Sequence, residues 1–285
     1  MSALDRWLRD GWLRPIDHAL GASLQRLTAD TPDAVALAAA LASRALAFGH
    51  SRVPPDRLAD LFAEIAPERT PPPMDAGEWE RKLRESPYVS DGGVRGTPLV
   101  LASGGIALGR YHFYEAELAD ALSKLAGPID PGPDDDWLRE RIATLFPSAA
   151  SSPDLQALAA ALAQIERVVL LTGGPGTGKT TTVARILVLA VEAATRRGEA
   201  LRVALAAPTG KAAARLSESL RESYARLETQ GRIDATVRES LPSGASTLHR
   251  LLGGRPDSMR FRRDASNPLT ADLVVVDEAS MVDLP

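Results

Sequence analysis

One eight-residue stretch constrains the fold of this chain more than any other. It reads Gly-Gly-Pro-Gly-Thr-Gly-Lys-Thr over residues 173–180 and matches the phosphate-loop pattern G-x-x-x-x-G-K-[ST] at every fixed position. The apolar run at residues 168–171 predicts a buried strand before the loop, and helical spacing of apolar residues predicts a helix over 181–197. Together they predict an anion site, because loop N–H groups and a helix N-terminus both carry partial positive charge.

Each part of this loop has a predicted role. The glycines let the backbone curl without Cβ clashes. Lys179 is expected to reach the β- and γ-phosphates of a nucleotide, and the hydroxyl of Thr180 to hold Mg²⁺. The residues expected to contact the nucleotide are Gly173, Gly174, Pro175, Gly176, Thr177, Gly178, Lys179, Thr180 and Thr181.

Composition narrows the class of protein. The 285 residues carry a net charge of -4, and a protein that simply coats duplex DNA is usually basic, so any nucleic acid is expected in a local groove. Zero cysteine excludes disulfides and thiolate metal sites and fits a cytoplasmic location. No apolar run approaches the ~20 residues that span a bilayer, so we expect no membrane partner. The N-terminus lacks the layout of a signal peptide.

The first part of the chain predicts a smaller, mostly helical domain. Helical patterns fill residues 1–66, a proline-rich break follows at 67–73, and residues 98–108 predict a β-hairpin leading into a helix from about Glu115. The aromatic residues Tyr111, Phe113 and Tyr114 fit either a core or a stacking surface for bases or a protein partner. An acidic, proline-rich stretch at 127–136 marks a boundary. We therefore expect an accessory domain over 1–126, a linker with a short helix over 127–153 and a motor domain over 154–285.

The second part alternates strands with helices. Apolar runs at 202–207 and 273–276 predict buried strands, a helix is expected to about Leu227, residues 229–245 are expected to be loop, and residues 246–252 a short helix. Such alternation predicts an α/β fold with a parallel sheet wrapped on both faces. Ligands of these sheets lie at the carboxyl ends of the strands, where the phosphate loop, Pro208, Thr209, Asp277 and Glu278 fall in the sequence.

Two carboxylates supply the second half of the predicted nucleotide site. Asp277 follows a buried strand, a position from which its carboxylate is suited to help hold Mg²⁺. The neighbouring Glu278 is suited to accept a proton from the attacking water. Paired with the phosphate loop, they make Lys179 and Glu278 the candidate catalytic residues.

Four segments together carry a family resemblance. They are the loop with its following threonines, Ala-Pro-Thr-Gly-Lys-Ala-Ala-Ala-Arg-Leu, Ser-Thr-Leu-His-Arg-Leu-Leu, and the carboxyl-terminal Val-Val-Asp-Glu-Ala-Ser-Met-Val-Asp-Leu-Pro. They resemble superfamily 1 DNA helicases, and most of all the N-terminal portion of the alpha subunit of exodeoxyribonuclease V, the RecD helicase. The close match covers about 154–285. It implies a RecA-like P-loop NTPase domain, ATP and Mg²⁺ as cofactors, and 5′→3′ translocation on single-stranded DNA. It also implies partnership with the beta (RecB) and gamma (RecC) subunits in double-strand break repair.

The resemblance assigns further residues. Gln156 stands where the family's adenine-reading glutamine would be, although it also fits a solvated position in the first turn of a helix capped by Asp154. Pro208, Thr209, Thr247 and His249 match segments that hold the DNA backbone; a strand-end turn and a structural histidine are the alternatives for Thr209 and His249. The basic run of Arg260, Phe261, Arg262 and Arg263 fits either single-strand contact or a solvated loop.

The sequence departs from the family in one respect. The later helicase motifs, including an arginine that stabilises transition-state charge, do not occur in it, so we expect an incomplete RecA-like domain without its second motor domain, inactive in unwinding by itself. One alternative function is an ATP-binding assembly module of a DNA-repair complex without motor activity. An unrelated phosphate-loop kinase is a weaker alternative, because it leaves the Ala-Pro-Thr-Gly-Lys segment unexplained.

Overall fold

The computed structural model describes residues 2–27, 31–102, 104–147, 154–174, 176–255 and 261–283. These fall into two units, one that extends to Ala121 and one that runs from Leu122 to Asp283. Within the described ranges, no helix has the length and apolar character needed to cross a membrane. The domain boundaries given above remain a prediction.

The first unit opens with helices, as its periodicity predicts. Their bounds are α1 Ala3–Arg9, α2 Pro15–Leu27, α3 Asp33–Leu46, α4 Leu58–Ile65 and α5 Ala76–Arg84. Helix α2 packs closely on the alanine-rich α3 because Gly21 has no side chain: a Cβ there would lie 2.6 Å from the carbonyl oxygen of Ala36. The rings of Trp7 and Trp12 meet Phe62 edge-on, with centroids 5.4 and 5.3 Å apart, and all three rings are buried.

A small sheet follows the helices. It consists of β1 Val89–Ser90, β2 Leu99–Ala102 and β3 Gly105–Leu108, with β2 and β3 paired as the predicted antiparallel hairpin. Helix α6, Gly109–Leu125, begins directly after β3 and not near Glu115 as predicted. Tyr111, Phe113 and Tyr114 therefore lie in the first turns of α6, where they are half-buried. Guanidinium groups stack on two of these rings, 5.0 and 5.2 Å from the centroids of Phe113 and Tyr114.

A buried carboxylate, that of Asp17, links helices α2 and α3 of the first unit. Asp17 has no exposed surface, accepts two side-chain hydrogen bonds from Arg14 at 2.9 and 2.7 Å, and accepts a third from Ser43 at 2.7 Å. Burial by itself raises the pKa of Asp17, but the hydrogen bonds from Arg14 and Ser43 outweigh it and hold the pKa below its ordinary value. The carboxylate therefore stays charged inside the unit and links α2 to α3.

The second unit contains the two longest described helices and four shorter ones. Their bounds are α7 Asp135–Leu145, α8 Leu155–Ile165, α9 Lys179–Arg196, α10 Gly210–Thr229, α11 Ala235–Ser240 and α12 Leu248–Leu252. Side chains of Asp134, Asp154 and Asp234 accept backbone N–H bonds at the starts of α7, α8 and α11. The prediction that residues 229–245 are all loop is wrong, because Asp234 starts a short helix there.

A parallel sheet forms the centre of this unit. Strand β4, Val203–Ala207, lies between β5, Ser246–Thr247, and β6, Leu273–Val276, and both pairings are parallel. The predicted α/β class, with a parallel sheet that follows a mostly helical region in the sequence, is confirmed. The expectation that both faces are covered is wrong for β6: Leu205 and the half-buried Val275 pack in the core shared with α9 and α10, whereas Val274 and Val276 on the opposite face are 41% and 39% exposed.

The strand predicted at residues 168–171 does not form. This run has no ladder partner among the described residues, and Leu170 is 80% exposed. The two outer strands of the sheet, β5 and β6, each keep an edge that no other described strand pairs with, and the run forms a ladder with neither of them. The phosphate loop is therefore preceded by an unpaired segment, which is held at its start by a bond from the Arg167 N–H to the Gly127 carbonyl at 2.9 Å.

A half-buried ion pair joins α7 to α9. Arg141 donates two bonds to the carboxylate of Glu192, from Nε at 2.6 Å and from Nη2 at 2.7 Å, and its Nη2 also bonds the carbonyl of Arg232. The two side chains are 19% and 13% exposed. Bidentate geometry with little solvent screening makes this pair a stronger contact than an exposed one.

We expect Arg141→Met to lower the free energy of unfolding by about 2 kcal/mol, because it leaves the Glu192 carboxylate without its partner in a poorly solvated place. The matched control is Arg139→Met on the same helix, which removes an exposed pair with Asp136 and should cost less than ~0.5 kcal/mol. Urea denaturation measures both. Equal losses for the two variants would contradict the assigned role of Arg141.

Candidate nucleotide site and strand edge

The phosphate loop forms a tight curl at the start of α9. Gly176 and Gly178 adopt φ of 76° and 81°, the left-handed region that favours glycine. A Cβ on Gly178 would lie 2.7 Å from Nε2 of Gln156, so no larger residue fits there without displacing that amide. Pro175, one of the predicted contact residues, lies outside the described residues.

The side chain of Lys179 folds back over this curl. Its Nζ donates to the carbonyl oxygens of Gly173 at 2.6 Å and Gly174 at 3.0 Å. The Gly174 carbonyl also accepts a bond from Oγ1 of Thr177 at 2.9 Å. The ammonium group thus lies at the loop, next to the positive end of α9, where an anion gains from both charges.

The threonines that follow the lysine differ in their bonding. Thr180 and Thr181 lie in the first turn of α9, and Thr182 donates its hydroxyl to the Gly178 carbonyl at 3.1 Å. Thr180 makes no side-chain hydrogen bond within the part of the chain that the structure describes, so its hydroxyl oxygen can still ligate a cation. A hydroxyl oxygen is a hard ligand of the kind that Mg²⁺ prefers.

Gln156 is brought directly onto the loop. Asp154 caps α8 by accepting bonds from the N–H groups of Gln156 at 2.9 Å and Ala157 at 3.2 Å. In this first turn the Gln156 side chain donates from Nε2 to the carbonyl of Thr177 at 2.9 Å. The position of Gln156 is therefore fixed by a capped helix end and by the loop. Reading of adenine by its free carbonyl oxygen remains a prediction.

The two predicted acidic residues lie just past the carboxyl end of β6. The N–H of Asp277 bonds the Ala206 carbonyl at 2.9 Å and so continues the β6–β4 ladder. Asp277 is half-buried and Glu278 is exposed. Within the described ranges, no hydrogen bond or ion pair joins either carboxylate to the phosphate loop, and no group of three or more potential metal-binding His, Cys, Asp or Glu side chains occurs. The assigned metal and proton roles therefore remain predictions.

Glu278 has a backbone conformation that the sequence does not signal. Its φ is 52° and its ψ is 39°, and among the described residues it is the only non-glycine with positive φ. Such a conformation costs an L-amino acid about 1–2 kcal/mol. Backbone strain of this kind clusters at functional sites, and here it occurs on the residue predicted to handle a proton.

The predicted DNA contacts Thr209 and Thr247 collect on the same strand edge. Thr247 pairs with Ala207, the last residue of β4, and Pro208 and Thr209 follow directly. Each threonine hydroxyl caps a helix: Oγ1 of Thr209 accepts from Ala212 N, and Oγ1 of Thr247 from Arg250 N, both at 3.2 Å. Capping uses an acceptor of the hydroxyl and leaves its O–H free to donate, for example to a phosphate oxygen.

His249 lies on the same short helix as the Thr247 cap, with its ring exposed. Its ring meets Phe261 at an angle, with centroids 5.7 Å apart. In the basic run, the backbone N–H of Arg262 bonds the Leu252 carbonyl, and the Arg263 side chain bonds Asn267 at 3.1 Å. Arg260 lies outside the described residues. The structure therefore places one exposed ring near His249, and DNA contact by this region remains a prediction.

Comparison with known proteins shows where the similarity lies. Residues 9–106 match the model of the RecBCD enzyme subunit RecD, N-terminal domain, and residues 156–285 match that of an AAA domain. The RecBCD enzyme subunit RecD of Mycobacterium tuberculosis is 42% identical over 278 residues, which is 96% of this chain and 44% of that protein. RecD of Mycolicibacterium smegmatis is 42% identical over 268 residues, 91% of this chain and 44% of that protein.

A further relative carries a fuller name. The ATP-dependent RecD2 DNA helicase of Deinococcus radiodurans is 37% identical over 170 residues, which is 59% of this chain and 19% of that protein. The chain thus spans less than half the length of the curated relatives it matches. The resemblance described from the sequence motifs is confirmed.

We expect Glu278→Gly to be more stable than Glu278→Ala by about 0.5–1 kcal/mol. Glycine removes the cost of the left-handed conformation, while its extra freedom in the unfolded chain offsets only part of that gain. Chemical denaturation of both variants measures the difference. Greater stability of the alanine variant would mean that residue 278 does not hold a positive φ in the folded protein.

Proposed function

Since this chain belongs to the RecD family, we propose that it carries the ATP-binding motor region of a DNA helicase subunit. Two of its relatives are named as subunits of the RecBCD enzyme, and a further one as an ATP-dependent DNA helicase. The family supplies the class of reaction. The residues of the second unit supply the physical argument for where the nucleotide and the DNA bind.

The observation that carries the proposal is the placement of Lys179. Its ammonium is held over a glycine curl by two carbonyl oxygens, at the N-terminus of an 18-residue helix. A triphosphate fits this donor set, because backbone N–H groups, a helix N-terminus and an ammonium all favour negative charge. In this proposal Lys179 exchanges its two carbonyl partners for phosphate oxygens.

The residues proposed to hold Mg²⁺ fit that ion chemically. Thr180 offers a hydroxyl oxygen without another partner in the described part of the chain, and Asp277 offers a half-buried carboxylate. Mg²⁺ commonly takes only one or two protein oxygens and keeps waters and substrate phosphates as its other ligands. When bound, the ion would neutralise charge that develops on the phosphates.

Two further residues complete the proposed nucleotide site. Gln156, fixed by the Asp154 cap and the Thr177 carbonyl, would recognise the edge of adenine with its remaining amide groups. Glu278, exposed beside Asp277, would accept a proton from the attacking water as a general base. Its strained backbone supports a functional role more than a structural one.

Single-stranded DNA is the proposed substrate of the strand edge. Thr209, just past the end of β4, and Thr247, on the neighbouring β5, present hydroxyl donors, which suits phosphate contacts without sequence reading. By family analogy we propose 5′→3′ movement, with RecB and RecC as partner subunits, in double-strand break repair in the cytoplasm. These assignments rest on the relatives and not on any contact within the chain.

One observation favours a second candidate, an ATP-binding assembly module without motor activity. In the described residues, neither Asp277 nor Glu278 has a hydrogen bond or ion pair to the phosphate loop. The same residues contain no group of three or more potential metal-binding side chains. A site that binds nucleotide but lacks a closely placed base would hold ATP without hydrolysing it. Turnover separates the two functions.

We expect Lys179→Ala to weaken binding of Mg-ATP at least about tenfold, because it removes a charged hydrogen-bond donor to phosphate. Calorimetric titration of the 285-residue chain measures this. Lys82→Ala is the control, since it removes an exposed lysine of the first unit that pairs with Glu78. Equal affinities for the two variants would overturn the assignment of the nucleotide site.

We expect Glu278→Gln to retain nucleotide affinity and to lose turnover by about 10²-fold or more, because the amide cannot accept the proton of the attacking water. The measurement is phosphate release stimulated by single-stranded DNA, on the protein in complex with the proposed partner subunits. Normal turnover with weakened binding would contradict the assigned role of Glu278. Absence of stimulated turnover in the unsubstituted protein would favour the assembly module.

A further inference from the structure

A pocket of about 310 Å³ in the second unit is lined by cations. Three arginines reach it from separate parts of the chain: Arg185 on α9, Arg226 on α10, and Arg232 just after α10. Among the described residues, its lining contains one carboxylate, that of Asp154. The described residues of the phosphate loop from Gly173 to Lys179 do not line the pocket, but Thr181, in the first turn of α9, does, so the pocket lies beside the loop and does not include it.

Arg185 differs from the other two arginines in having a buried donor without a partner. Its guanidinium lies over the ring of Phe146, 4.5 Å from the centroid, and its Nε is buried without a hydrogen-bond partner in the described part of the chain. Native proteins pair nearly all buried polar atoms, so an unpaired donor beside a pocket points to a ligand. The Phe146 ring stabilises the cation but supplies no acceptor.

The other charges leave the pocket strongly positive. Arg226 has no ion pair or side-chain hydrogen bond among the described residues, and Arg232 uses only Nη1, which donates to the Leu145 carbonyl at 3.0 Å. Asp154 already accepts two backbone bonds with its Oδ1 atom. Three guanidinium groups and one carboxylate give a net charge of +2. Burial, and then the nearby charge of Arg232, lower the pKa of Arg185, as expected of a cation that lacks an anionic partner.

We propose that this pocket binds a phosphorylated small molecule through a dianionic phosphate group, independently of the phosphate loop. Planar guanidinium groups match phosphate oxygens in pairs, and a dianion balances the net charge of the lining. The volume exceeds that of one phosphate group and lies at the lower end of small-molecule sites, so there is room for the rest of a small ligand. A neutral nucleoside would leave the charges unbalanced, and a DNA phosphodiester carries one charge per phosphate.

The test uses the Lys179→Ala variant of the 285-residue chain, in which the phosphate loop is disabled. Inorganic phosphate at pH 8 is titrated in at constant ionic strength, and binding is followed by phosphorus NMR and by the rise in unfolding temperature. We expect saturable binding that Arg226→Gln weakens about tenfold. The matched control is Arg215→Gln, an exposed arginine on the same helix outside the pocket, which should change the affinity less than about twofold.

A second variant keeps the test decisive if Arg226→Gln disturbs folding. Gln230 lines the pocket and is exposed, so Gln230→Glu changes charge without changing size and should weaken phosphate as much as Arg226→Gln does. The proposal is overturned if phosphate does not bind to the Lys179→Ala chain, or if Arg226→Gln and Arg215→Gln behave alike. It is also overturned if adenosine, or an oligothymidine strand, shows the Arg226 dependence and phosphate does not. Because every comparison is made without Lys179, failure here leaves the proposed nucleotide site untouched.

Discussion

The first turn of α9 is the constraint on which the second unit depends. Gly178 must hold a positive φ there, and the space of its missing Cβ is taken by the amide of Gln156. The positions of the loop, the start of α8 and the start of α9 therefore depend on one another. Because the rest of α9 lies in the core, with Leu187, Val188 and Leu189 fully buried, the shape of the curl is anchored by the packing of the whole unit.

Strand β4 organises the other half of the chemistry. It is short, yet both of its edges carry parallel neighbours, so the chain that leaves each strand emerges at the same edge. The carboxyl ends of the strands therefore bring together residues that are far apart in sequence: Thr209, Thr247 and Asp277. The two threonines also begin helices, which ties their side chains to rigid elements. A hydroxyl that caps a helix and still has a proton to donate serves the fold and the proposed DNA contact at once.

Much of this could be predicted from the sequence, and the failures have physical causes. Helix starts at Asp154 and the β4 and β6 strands follow from local patterns, since caps and apolar runs act over a few residues. The run at 168–171 shows the limit: its apolar residues suit a strand, but pairing depends on whether the fold brings the run against the edge of another strand. The positive φ of Glu278 could not be predicted either, because glutamate as a residue type does not favour this conformation. Within the candidate site, the motif alone identifies the loop residues. The hydrogen bond from Gln156 to the Thr177 carbonyl could be seen only in the folded structure.

The net charge of -4 does not conflict with an anion-binding protein. What attracts an anion is the local set of donors, and the two donor sets described here lie in the second unit. The phosphate loop uses backbone groups and one lysine, which add little to the net charge. The arginine pocket uses side chains drawn from α9, α10 and the segment after it, a grouping that no local motif could reveal. Helix α9 takes part in both, through Lys179 in its first turn and Arg185 further along, so its packing positions two separate cations for phosphate chemistry.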